Sequence, residues 1–163
     1  MRFMRVAAGI LSVVALLLVV LIASFFAGGT LSVGARAVSV PASDALQAFD
    51  SVVEVLDAGI APQVFSGEEI GDASGYVLID INFDLKNRGL FSAEWLAAEI
   101  LPGEGDIAVY SRSAEVLGVP ARGSETLNLK LIARADQDPE GRELLIEYYV
   151  LGMKRTAKIA CSQ

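Results

Sequence analysis

The stretch Val6 to Ala27, "VAAGILSVVALLLVVLIASFFA", carries no charged side chain. No other feature limits the fold so strongly. A helix needs about 20 apolar residues to cross the hydrocarbon core of a bilayer, and this run supplies them. Arg2 and Arg5 precede it, and the next positive charge is Arg36. By the positive-inside rule, this charge order puts the N-terminus in the cytoplasm and everything after the run outside. A cleaved signal peptide shares the charge order, with Ala27–Gly29 or Val33–Ala35 as small-residue cleavage sites. Its apolar region, however, usually spans about 7–15 residues. Length therefore favours a retained anchor over residues 1–28, in the bilayer through residues 6–27. An exported domain over residues 29–163 follows. The expected location is the cell membrane, single-pass, with the C-terminal domain outside.

Composition makes sense only after this division. The chain has 163 residues and is 53% hydrophobic, yet its net charge is -7. The first acid is Asp44, so every carboxylate belongs to the exported part. That part is long enough to bury a core. Its acidity argues against nucleic acid as a partner, because phosphates call for clusters of Lys and Arg. It also argues against docking the domain on anionic lipid. The one cysteine, Cys161, cannot close an internal disulfide and is expected to be a small apolar residue of a final strand.

Periodicity changes after the anchor. "TLSVGARAVSVPA" (Thr30 to Ala42) alternates as a strand, with a change of parity that suggests a bulge, and ends at Pro41. Leu46, Phe49, Val53 and Leu56 then fall at helical spacing, with Val52 beside them, giving a helix over 44–58. Ser43 or Asp44 is the expected cap, with Gln47 completing a variant capping box and Gly59 just past the end. Pro62, Gly67, Gly71 and Gly75 break up the next segment, with a short strand expected at Gln63 to Phe65. In Tyr76 to Asn87, Val77, Ile79, Ile81, Phe83 and Leu85 alternate with Asp80, Asn82, Asp84 and Lys86, the mark of a half-buried antiparallel strand. "LFSAEWLAAEILPG" fits a short helix or a strand, and its Pro102-Gly103 end and strand-rich surroundings favour the strand. Further strands are expected over Asp106 to Ser111 and Glu125 to Ala135 and in a hairpin around Gly152. Six or seven short strands and one helix indicate a mainly β protein, an antiparallel β-sandwich with one extra helix behind one transmembrane helix.

Three stretches resemble a known family. They are "IDINFDLKNRGLF" (Ile79 to Phe91), "EWLAAEILPGEGDIAVYS" (Glu94 to Ser111) and "VPARGSETLNLKLIA" (Val119 to Ala133). Together they are similar to the LEA14-like, or water-stress-and-hypersensitive-response (WHy), domain. The resemblance implies a small Ig-like sandwich, often behind one membrane helix, and an association with stress tolerance. It brings no catalytic residues. The chain departs from the family's pattern in the helix at 44–58 and in Asn87-Arg88-Gly89, where Asn-Pro is usual.

Chemistry-bearing motifs are scarce. The chain has no histidine, which removes histidine triads, imidazole metal ligands and the commonest general base. Carboxylate pairs such as Glu68-Glu69, Asp80/Asp84 and Glu104/Asp106 read as solvated faces. "DQDPEGRELLIE" (Asp136 to Glu147) looks like an EF-hand loop, but its flanks alternate as strands and Pro139 and Glu143 break the pattern. It reads as a strand-joining turn, with Asp136, Asp138 and Glu140 left as a weak calcium candidate. No cofactor is expected. The leading functional expectation is a non-enzymatic, stress-protective or envelope-associated binding domain. The alternative is an anchored structural subunit of a surface assembly, contacting protein or its own copies through edge strands or the helix at 44–58. An enzyme is the least supported reading.

Overall fold

The computed structural model describes residues 2–27, 31–113, 118–135 and 142–160. Helix α1 (Arg2–Ala27) is 26 residues long. Within it, Val6–Ala23 is apolar enough to cross a membrane and packs against nothing else in the chain. A stretch exposed on every side, strongly apolar and free of charge has no reason to stay in water, so α1 is a candidate membrane span.

The rest is mainly β. Its strands are β1 (Leu31–Pro41), β2 (Gln63–Val64), β3 (Tyr76–Asn87), β4 (Ala93–Leu101), β5 (Asp106–Arg112), β6 (Gly118–Val119), β7 (Ser124–Arg134), β8 (Glu143–Val150) and β9 (Met153–Ala160). They form two antiparallel sheets, ordered β1-β3-β7-β5-β2 and β6-β4-β8-β9. Setting aside the two-residue strands β2 and β6, the long strands take positions A-B-E-D in one sheet and C-F-G in the other. That is the immunoglobulin constant-type arrangement. The sandwich and its Ig-like order thus emerge from strand adjacency alone.

Alternation explains the main core. Ile79, Ile81, Phe83 and Leu85 of β3 and Leu127, Leu129 and Leu131 of β7 point inward, meeting Ile100 of β4 and Leu144 and Ile146 of β8. All are nearly inaccessible to solvent. A second core lies on the other side of the first sheet. There Phe49 and Val52 of helix α2 (Leu46–Asp57) cover Leu78, Ile107, Ala108 and Ile132. The Phe49 and Tyr76 rings stack with centroids 5.8 Å apart. The molecule therefore has three layers, helix on sheet on sheet.

Several expectations change in detail. β1 pairs with β3 without interruption from Leu31↔Asn87 to Pro41↔Val77, so it has no bulge. The register irregularities fall in β4 and β5 instead. Neither Ser43 nor Asp44 caps α2. Both belong to a 3-10 turn over Ala42–Asp44, and the N-cap is Ala45 with no side-chain bond. Ala42 is fully buried in the second core, which fixes this turn and leaves Ser43 and Asp44 facing solvent. Gly59, at φ +67°, does end the helix. Its N–H donates to Leu56 O and that of Ile60 to Val55 O, the paired bonds of a Schellman close. The helical stripe is centred on Phe49 and Val52, while Leu46 is 57% exposed. β6 was not expected. It lies so close to β4 that a Cβ on Gly118 would meet Ala93 O at 2.6 Å.

Candidate interaction surfaces

The weak calcium candidate, Asp136, Asp138 and Glu140, lies outside the described residues, as does Cys161. Glu147, the would-be closing ligand, is on β8 and holds Lys154 of β9 at 2.7 Å. That bond keeps the Lys154 amine above its usual range. Among the described residues, no group of three or more His, Cys, Asp or Glu is placed to hold a metal ion.

Of the carboxylates expected to be solvated faces, Glu68, Asp80, Asp84 and Asp106 have partners, and Asp106 corrects that expectation because it is buried. Asp106, at the start of β5, is buried and receives Arg142 Nε at 2.9 and 3.0 Å, with Arg142 Nη2 also in contact. Its Oδ2 accepts the Gly103 N–H at 2.8 Å. Arg142 directly precedes β8, so the pair clamps the two sheets together at one end. Nothing in the sequence distinguished Asp106 from Glu104, because the clamp depends on a partner 36 positions away. Glu68 takes Arg134 at the end of β7 through Nε at 3.1 Å and through Nη2. This pairing holds the Glu68 carboxyl below its usual range. On the outer face of the first sheet, Asn128 Nδ2 donates to Asp80 Oδ1 at 2.5 Å and to Asn82 Oδ1 at 2.9 Å. Thr126 Oγ1 donates to Asp84 Oδ1 at 3.3 Å. These are cross-strand ladders, as alternation implies. Burial and the nearby Asp80 charge push the Tyr110 hydroxyl up.

Two features remain open to partners. The first is the outer edge of β1. No described strand pairs with that side, and the 11-residue sequence "LSVGARAVSVP" carries one charge, Arg36. Of the other edges, β9 carries Lys154, Arg155 and Lys158, β2 and β6 are two residues each, and beyond β6 the side of β4 gives Ala98 O and Ile100 O to the Arg112 and Gln63 side chains. A long, almost uncharged edge is a template for another strand. The stripe of α2 is not available for such a role, because the first sheet covers it.

The second feature is the end of the sandwich where β1 begins. The pairs Leu31↔Asn87, Lys86↔Ser124, Ala93↔Val119 and Glu94↔Tyr149 bring the 88–92 and 120–123 connections and the Leu151-Gly152 turn to this one end. Asn87 organises it. Buried, it donates to Phe91 O at 2.8 Å and Val119 O at 3.1 Å and accepts from Gly89 N at 2.8 Å. The three described non-glycine residues at positive φ all sit here: Trp95 (53°), Arg122 (56°) and Leu151 (49°). Such conformations are strained for side chains of this bulk and persist only where their surroundings enforce them. Large side chains face outward at this end, with Leu90 54%, Trp95 75% and Leu151 57% exposed. Trp95 and Tyr149 line a shallow cleft with Glu94 and Gly152.

No family model matches this chain, and no curated protein does. Among solved structures, the chain is similar to a yeast GGA1 GAE domain at 9% identity and a TM-score of 0.39, covering 58% of this chain and 87% of that one. A likeness this distant adds nothing to the strand order described above.

Proposed function

We propose that the chain is a non-enzymatic, single-pass membrane protein that displays its sandwich outside the membrane as a binding module for envelope proteins. The similarity to LEA14-like (WHy) domains fits this role and suggests a stress-protective setting. The observation that carries the proposal is the edge of β1, long and nearly uncharged, while β9 carries cations and the side of β4 is engaged by Arg112 and Gln63. An extended segment of a partner adds to such an edge through main-chain hydrogen bonds, with alternate side chains giving selectivity. The absence of histidine and the engagement of Asp106, Glu68 and Asp80 by partners support a binding role over catalysis. The same edge would serve a homotypic array, the second reading, because an almost uncharged strand does not repel its own copy.

A photo-crosslinking side chain at Val38, which is 54% exposed on β1, tests this in cells expressing the full-length protein. One dominant partner supports the module, and a ladder of self-crosslinks supports the array. A lysine beside the probe, Ser39→Lys, should abolish either product. A protein crosslinked only to scattered neighbours, unaffected by that lysine, would refute both.

A further inference from the structure

The net charge of the exported domain averages two unlike ends. At the end where β1 begins, the exposed cations Lys86, Arg88 and Arg122 surround the exposed apolar tips Leu90, Trp95 and Leu151. Asp84, Glu94 and Glu125 are the acids on the same stretch of β3, β4 and β7, and Lys154 is held by Glu147. Asp44, Glu68, Glu69, Asp72, Glu104 and Asp106 lie toward the opposite end, where Arg134 and Arg142 pair with Glu68 and Asp106 and leave the other four.

The chain itself brings the basic, apolar end to the bilayer. α1 ends at Ala27 and β1 begins at Leu31. The four Cα steps between them reach at most about 14 Å. The headgroup layer beyond the hydrocarbon core is itself about 5–7 Å deep on each side. This end of the sandwich therefore cannot move far from lipid once α1 is inserted. Trp and Tyr settle at the level of the headgroups, and Arg and Lys beside them reach phosphate.

We propose that this end of the sandwich is a second membrane contact, with Leu90, Trp95 and Leu151 seated among lipid headgroups and Arg88 and Arg122 on their phosphates. The contact rests on the anchor reading above. It would fix the tilt of the sandwich and hold the β1 edge at a set height over the bilayer. The positive-φ residues Trp95, Arg122 and Leu151 all fall within this contact.

Trp95 is the only tryptophan, so its emission reports this contact without a label. The full-length protein would be reconstituted into vesicles of phosphatidylcholine and phosphatidylglycerol. The expected result is emission quenched by phospholipid brominated near the top of its acyl chains and poorly reached by aqueous acrylamide. Arg88→Gln and Arg122→Gln should each shift the balance toward water by roughly fivefold in these anionic vesicles. Emission open to acrylamide and indifferent to brominated lipid, in protein that still floats with vesicles after alkaline carbonate, would overturn the contact while leaving the anchor intact. Shielding from both quenchers would place a second copy or another protein on this end and also overturn it. Protein that fails to float would remove the anchor and the contact together.

Discussion

At the residue scale, the most consequential interaction is the one least visible in the sequence. Asp106 and Arg142 are acid and base in a chain with many of each, and only the folded arrangement shows that both are buried and face each other. Removing one partner from a buried pair strands the other charge, at about 3–5 kcal/mol. Arg142→Met is therefore expected to lower stability by that amount, read from denaturant midpoints. The double variant Asp106→Leu/Arg142→Met should recover a large part of the loss, because no charge is left stranded. Tyr110 supplies a second test. Burial, then the charge of Asp80, raises its hydroxyl above the usual 10.0. A raised group favours the folded state up to the unfolded value and ceases to do so as pH rises through the folded one. Stability should thus be insensitive to Tyr110 below pH 10.0 and fall above it. Tyr110→Phe should flatten that part of the thermal-midpoint profile.

At the element scale, strands with strict alternation were legible, and those depending on neighbours were not. Val77 to Leu85 announces its inward face, and β3 forms as written. β6 has two residues and no pattern, and exists because Gly118 allows close approach to β4. The helix was legible as a helix, but its start was not, since Ala42 is pinned by the second core rather than by a capping side chain. Its face was only half legible. Spacing singled out Leu46, whereas the sheet covers Phe49 and Val52 and leaves Leu46 outside. Phe49→Ala is accordingly expected to cost about 3–5 kcal/mol as a buried aromatic deletion. Leu46→Ala should change stability by less than about 0.5 kcal/mol. Equal losses in the two variants, measured by denaturant unfolding, would contradict the packing of α2 described here.

At the scale of the whole molecule, the sequence shows two solvents in succession. The charge-free run of α1 suits hydrocarbon, and the acidic remainder suits water. The sandwich followed from counting strands, but which surfaces stay open did not. The open edge of β1 needs the sheet order, and the basic, apolar end needs the register that gathers three turns. A net charge of -7 concealed that end, because a sum carries no positions. The central claim is that α1 holds the chain in a membrane with the sandwich outside, where β1 meets its partners. The most direct test places a cysteine at exposed Ser74 in a Cys161→Ser background and treats intact cells with a membrane-impermeant maleimide. Labelling is expected without permeabilisation, on protein that alkaline carbonate leaves in the membrane fraction. Labelling only after lysis, or release by carbonate, would contradict it.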